Sequence, residues 1–152
     1  MKEKEFYSQK GTYNRVPLSK KIKAEKLIPI DIFDKFKSKG SYFLESAEVD
    51  MKWGRYSIIG LPSESSIKVK NSEIFLNLNG VEEKISSSDP LKFIENYLEE
   101  NFYPDTGDLP IFSGGLVGFF GYESIRLIEN KLQNTSKNEA HEIEDINLLI
   151  SD

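Results

Sequence analysis

Hydrophobic and polar positions change period along the chain, and the changes divide it into elements. From Leu27 to Gly40, "LIPIDIFDKFKSKG" brings Ile32, Phe33 and Phe36 onto one face of a short predicted helix, with Asp31 near its start and Gly40 placed to close its C-terminus. The period then drops to two. "SYFLES" and "RYSIIG" are rich in aromatic and β-branched residues and predict strands. "SIKVK", "EIFLNLNG" and "VEEKIS" alternate around the hairpin signal Asn79-Gly80, which predicts an antiparallel meander over residues 67–86. A second helix is predicted from Asp89 to about Asn101: Ser88 or Asp89 can cap it, Pro90 suits its first turn, and Leu91, Ile94 and Leu98 share a face. Beyond the loop "PDTGDLP", the run "FSGGLVGFFGYESIRLIEN" reads as a buried, glycine-rich strand and a short helix from about Tyr122. Residues 130–142 are polar and read as a mobile loop. "DINLLISD" then opens a strand that is expected to lack the turn and partner that normally follow. The pattern describes an α+β fold, mostly antiparallel β-sheet with a few outer helices.

Composition narrows the setting. At 152 residues the chain is long enough for one domain with a real core, and residues 1–12 read as a flexible lead-in. A net charge of -5 gives the long-range field the wrong sign for a generic nucleic-acid or anionic-membrane surface. No apolar run is long enough to cross a bilayer, and the N-terminus lacks the apolar region of a secretory signal. With no cysteine, disulfides and thiolate metal sites are excluded, which fits a cytoplasmic protein.

The candidate chemistry is thin. Gly114, Gly115, Gly118 and Gly121 invite a phosphate-loop reading, but no Lys-Ser/Thr follows and the spacing is not Gly-x-Gly-x-x-Gly. Glycines that let a strand bend, or let another backbone approach, explain the run better. His141 stands in a polar loop beside Glu139 and Glu142, and Glu95, Glu99 and Glu100 fall on a solvated helix face. No set of residues commits to catalysis or to a metal. Glu45-Ser46 remains. It reads either as a strand rim with Glu45 in a salt bridge, Arg55 being the candidate partner, or as a grip on a free amino acid. In the second reading the carboxylate meets an ammonium group, and a hydroxyl and strand-edge amides meet a carboxylate.

Four segments, "YNRVPLSKKI", "YFLESAE", "KWGRYSIIG" and "GGLVGFFGYESIRLIE", in this order and at this spacing, resemble the N-terminal region of anthranilate synthase component I. The resemblance runs over residues 13–152. It implies an N-terminal domain fragment of a larger two-layer enzyme, which takes chorismate and glutamine or ammonia to anthranilate and pyruvate in tryptophan biosynthesis. That enzyme is a lyase. The catalytic residues and Mg2+ are then expected in a C-terminal domain absent from these residues, so the fragment is expected to be inactive and to hold no cofactor. The resemblance further implies a feedback, allosteric site for L-tryptophan at Leu44, Glu45 and Ser46, with Tyr56 and Ser57 on the next strand. Its other expected partners are the catalytic domain and a glutamine amidotransferase subunit. Apolar surface at "LVGFF" would favour self-association of the fragment. The equivalent domain of aminodeoxychorismate synthase component I shares the glycine run but commonly departs from Glu-Ser. A structural, partner-binding domain without a ligand is the alternative of a different class.

Overall fold

A computed structural model describes residues 7, 14–46, 56–102, 109–110, 112–132 and 143–151. The lead-in, Arg55 as a partner for Glu45, and His141 in its polar loop fall outside them, apart from Tyr7. Helix α1 (Pro29–Phe36) is followed by strands β1 (Tyr42–Glu45) and β2 (Ser57–Gly60). Strands β3 (Ser66–Lys70), β4 (Glu73–Leu78) and β5 (Val81–Ile85) come next, then helix α2 (Pro90–Asn101). Strand β6 (Gly115–Phe120), two short 3-10 turns (Tyr122–Leu127 and Asn130–Leu132) and β7 (Ile146–Ser151) complete the described elements. The fold is α+β, and its sheets are antiparallel throughout.

Two separate sheets form. β1 and β2 make a ribbon, while the five-stranded sheet has the order β5-β4-β3-β7-β6. The expected meander is present. Its Asn79-Gly80 turn has φ of 53° and 83°, the left-handed pair that a tight hairpin requires. Asn77 Oδ1 accepts from the Gly80 N–H at 2.9 Å, which closes the turn. The β3–β4 turn uses Asn71 and Ser72, also at positive φ, and the Asp145 carboxylate accepts from the Asn71 N–H at 2.8 Å. That turn has no glycine to announce it.

Alternation in β3 and β7 places Ile67, Val69, Ile146, Leu148 and Ile150 on one face, where they join Ile74. Helix α2 covers this face with Ile94 and Tyr97. Asp89 caps the helix by accepting from the Lys92 N–H at 2.9 Å, and Pro90 occupies its first turn. The expected helix face is rotated: Leu98 is exposed and Tyr97 is buried in its place. Tyr97 turns inward because the segment before α1 packs against it, with Arg15 Nη2 donating to the Tyr97 hydroxyl at 3.3 Å and the guanidinium lying over Phe102.

Two other expectations change. Gly40 does not close α1, which ends at Phe36; it lies in the following turn at φ 82°, pressed against the Ser63 backbone. β6 is an edge strand with Phe119 and Phe120 exposed, since β7 pairs on only one of its sides. The strand opened by "DINLLISD", β7, is flanked on both sides by earlier strands, β3 and β6. The glycine explanation holds at Gly118, where an added Cβ would lie 1.9 Å from the Asn147 carbonyl oxygen.

Two predictions follow from this packing. Gly118→Ala is expected to destabilise the domain by about 2 kcal/mol or more, because the obstacle is backbone and cannot rotate away; urea denaturation measures this. Burial pushes the Tyr97 phenol above its usual pKa of 10.0, partly offset by Arg15. The folded state therefore holds its proton longer than the unfolded one, and stability is expected to fall as pH rises past about 10. Tyr97→Phe is expected to flatten that alkaline slope in denaturation curves taken from pH 8 to 11.

Candidate functional site

The ribbon is built from four residue pairs, Tyr42↔Gly60, Phe43↔Ile59, Leu44↔Ile58 and Glu45↔Ser57. Its two faces differ. Phe43 stacks on Phe33 of α1 with ring centroids 5.5 Å apart, which anchors that face to the helix. Glu45 and Ser57 lie on the same face by alternation, and the Ser57 hydroxyl donates to Glu45 Oε1 at 3.0 Å. Tyr42, Leu44 and Ile58 belong to the opposite face.

The structure brings the five sequence-derived site residues to one end of the ribbon. Glu45 and Ser57 are its last pair, and Ser46 and Tyr56 stand just beyond it. Leu44, Glu45, Ser46, Tyr56 and Ser57 are all exposed, with Leu44 and Tyr56 each at 44%. A carboxylate, two serine hydroxyls, a leucine and a tyrosine thus lie together at the strand end. Alternation still divides them: Leu44 faces away from Glu45. An amino acid bound here would set its ammonium at the Glu45–Ser57 face, and an apolar side chain would have to reach around the strand end toward Leu44.

A groove of about 1110 Å³ runs along β2 from Ile58 to Gly60 and past the base of the ribbon. Its walls include Arg15, Tyr42, Ile58, Phe102, Phe112 and Ser151, and none of the five site residues. Local sequence pattern does not announce the groove, which is assembled from segments more than a hundred residues apart. Its sequence signals are Pro17 within "RVPLS" and the aromatic residues Phe102 and Phe112. Among the described residues no three His, Asp or Glu side chains converge on a metal position, and no helix is long and apolar enough to cross a membrane.

No protein-family model matches the chain. Among curated proteins it is 39% identical over 142 residues to "Anthranilate synthase component 1" of Pseudomonas aeruginosa, covering 92% of this chain. The protein of the same name from Neisseria meningitidis is 36% identical over 143 residues, covering 91% of this chain. That from Acetivibrio thermocellus is 36% identical over 120 residues, covering 78%. The chain belongs to the anthranilate synthase component 1 family. It represents the N-terminal region of that family and spans 29% of the length of the Pseudomonas and Neisseria relatives.

For this anthranilate synthase component 1 region, the ribbon end can be altered without touching the core. The Ser57 hydroxyl and the Glu45 carboxylate form an exposed pair. Ser57→Ala is expected to shift unfolding free energy by less than about 0.5 kcal/mol in urea titrations. Any loss of ligand response in that variant then belongs to the site and not to the fold.

Proposed function

We propose that this chain is the N-terminal regulatory part of an anthranilate synthase large subunit, and that the open end of its β1–β2 ribbon carries much of the feedback site for L-tryptophan. The parent reaction would convert chorismate and ammonia, the latter supplied by a glutamine amidotransferase subunit, to anthranilate and pyruvate. Family membership supports that parent activity. The observation that supports the site is the cross-strand pair of Glu45 and Ser57, a carboxylate already oriented by a hydroxyl at an exposed strand end.

The chemistry suits an amino acid. Glu45 would take the ammonium in a charge-assisted hydrogen bond, and the Ser46 hydroxyl would bond the ligand carboxylate. Leu44 and Tyr56 would contact the indole, whose remaining wall would come from the catalytic domain. Binding would favour one arrangement of the two domains over the active one; a coupling of about 1–3 kcal/mol suffices for a feedback switch. Magnesium and the residues acting on chorismate would belong to that C-terminal domain. The chain alone would form no anthranilate.

Ser46→Ala in the full-length polypeptide is expected to weaken tryptophan binding by about 1–3 kcal/mol, roughly five- to 150-fold, with parallel loss of inhibition. Calorimetric titration beside an anthranilate-formation assay measures both. Parental affinity and inhibition in the variant would remove the assignment.

A further inference from the structure

The ribbon and the five-stranded sheet are separate hydrogen-bonded units, joined by a small set of ties. At the ribbon's base, the Ser63 N–H donates to the Gly40 carbonyl at 3.1 Å and closes the ribbon on itself, while the Ser63 hydroxyl reaches the sheet by donating to the Ile150 carbonyl at 2.8 Å. Both involve the loop after β2. A further tie starts from strand β1 itself: the Tyr42 hydroxyl and Ser151 Oγ lie 2.6 Å apart in a half-buried position.

Tyr42 is held for this contact. Its ring lies over Gly60, its cross-strand partner, where an added Cβ would come within 1.9 Å of Tyr42 Cε1. Phe112 meets the same ring edge-on, with centroids 6.4 Å apart and planes at 88°. Glycine at position 60 is what lets the ring lie across the ribbon and deliver its hydroxyl to the end of β7.

We infer that the Tyr42–Ser151 hydrogen bond is a latch through which a ligand at the ribbon's open end changes how the ribbon sits on the sheet. The inference rests on the effector-site reading given above. Glu45 is three residues along the strand from Tyr42, about 10 Å at the usual rise. A four-pair ribbon moves largely as a unit, so a ligand that tilts its open end also moves the Tyr42 hydroxyl. A hydrogen bond weakens steeply once its length or angle departs from the favoured range, so a shift of about 1 Å opens the latch. Ser151 is paired to Gly115 of β6, and β7 is gripped on both sides, so the sheet does not follow the ribbon. The element therefore has two arrangements, bonded and open, which ligand and sheet can each bias.

The test uses the full-length polypeptide that carries this region, with L-tryptophan as the probe. Calorimetry reads affinity, and anthranilate formation reads the tryptophan concentration for half-inhibition. The bonded arrangement is the ligand-free one, so Tyr42→Phe is expected to tighten tryptophan affinity about five- to tenfold, the factor for one hydrogen bond, and to lower the half-inhibiting concentration in step. Ser151→Ala and the double variant are expected to match it, because all three remove the same bond. Gly60→Ala displaces the ring while leaving both hydroxyls in the chain, and is expected to show the same tightening. Parental affinity and parental half-inhibition in Tyr42→Phe overturn the latch and leave the effector site standing. Equal loss of affinity and inhibition also overturns it, by making Tyr42 part of the binding site. Parental affinity in Ser46→Ala removes the effector site, and the latch with it.

Discussion

Strand β7 pairs with β3 on one side and β6 on the other, and its residues Ile146, Leu148 and Ile150 fill the centre of the core. Burying three such side chains contributes about 5–9 kcal/mol, comparable with the net stability of a whole domain. The strand also supplies polar anchors at its ends. The Asp145 carboxylate receives the Asn71 N–H of the β3–β4 turn, and the Asp145 carbonyl receives the Gly121 N–H where β6 leads into the 3-10 turn. At the far end, the Ile150 carbonyl accepts from the Ser63 hydroxyl of the loop after β2, and the Ser151 hydroxyl shares a hydrogen bond with the Tyr42 hydroxyl of the ribbon. The sheet, the glycine strand and the ribbon are therefore all referred to one segment late in the chain.

That dependence orders the rest of the molecule. With β7 inserted, β6 becomes an edge, and Gly118 must lack a side chain because the Asn147 backbone passes so close. The ribbon stays outside the sheet, held by side chains and a loop instead of a strand ladder. A unit held in this way can move at small cost while the core remains fixed. A regulatory site is better served by the ribbon than by the sheet for that reason: its open end is exposed, and its base touches the strand on which the fold depends.

Local rules made much of this legible from the sequence. The meander could be read because Asn79-Gly80 states its own turn, and α2 because Asp89 and Pro90 mark its start. Long-range contacts hid the rest. The Asn71-Ser72 turn is supported by a carboxylate 74 residues away. Tyr97 replaces Leu98 on the buried face of α2 because Arg15, distant in sequence, packs against it. "GLVGFF" looks buried by composition, yet edge or centre is decided by strand order, which composition does not carry. The Glu45–Ser57 pairing follows from the register of the ribbon and not from either segment alone. Glu45 and Ser46 stand out from the residues themselves, and alternation alone sets neighbours on opposite faces; Leu44, Tyr56 and Ser57 join them through family resemblance, and which residues face one another across the ribbon emerges only once the strands are paired.

The most direct measurement of the central claim is a crystal structure of the full-length polypeptide grown with L-tryptophan. The account predicts the ligand at the open end of the ribbon, its ammonium within hydrogen-bonding distance of the Glu45 carboxylate and its carboxylate at Ser46. A ligand lodged in the groove between Arg15, Phe102 and Phe112, or held without any contact to the ribbon, would contradict it.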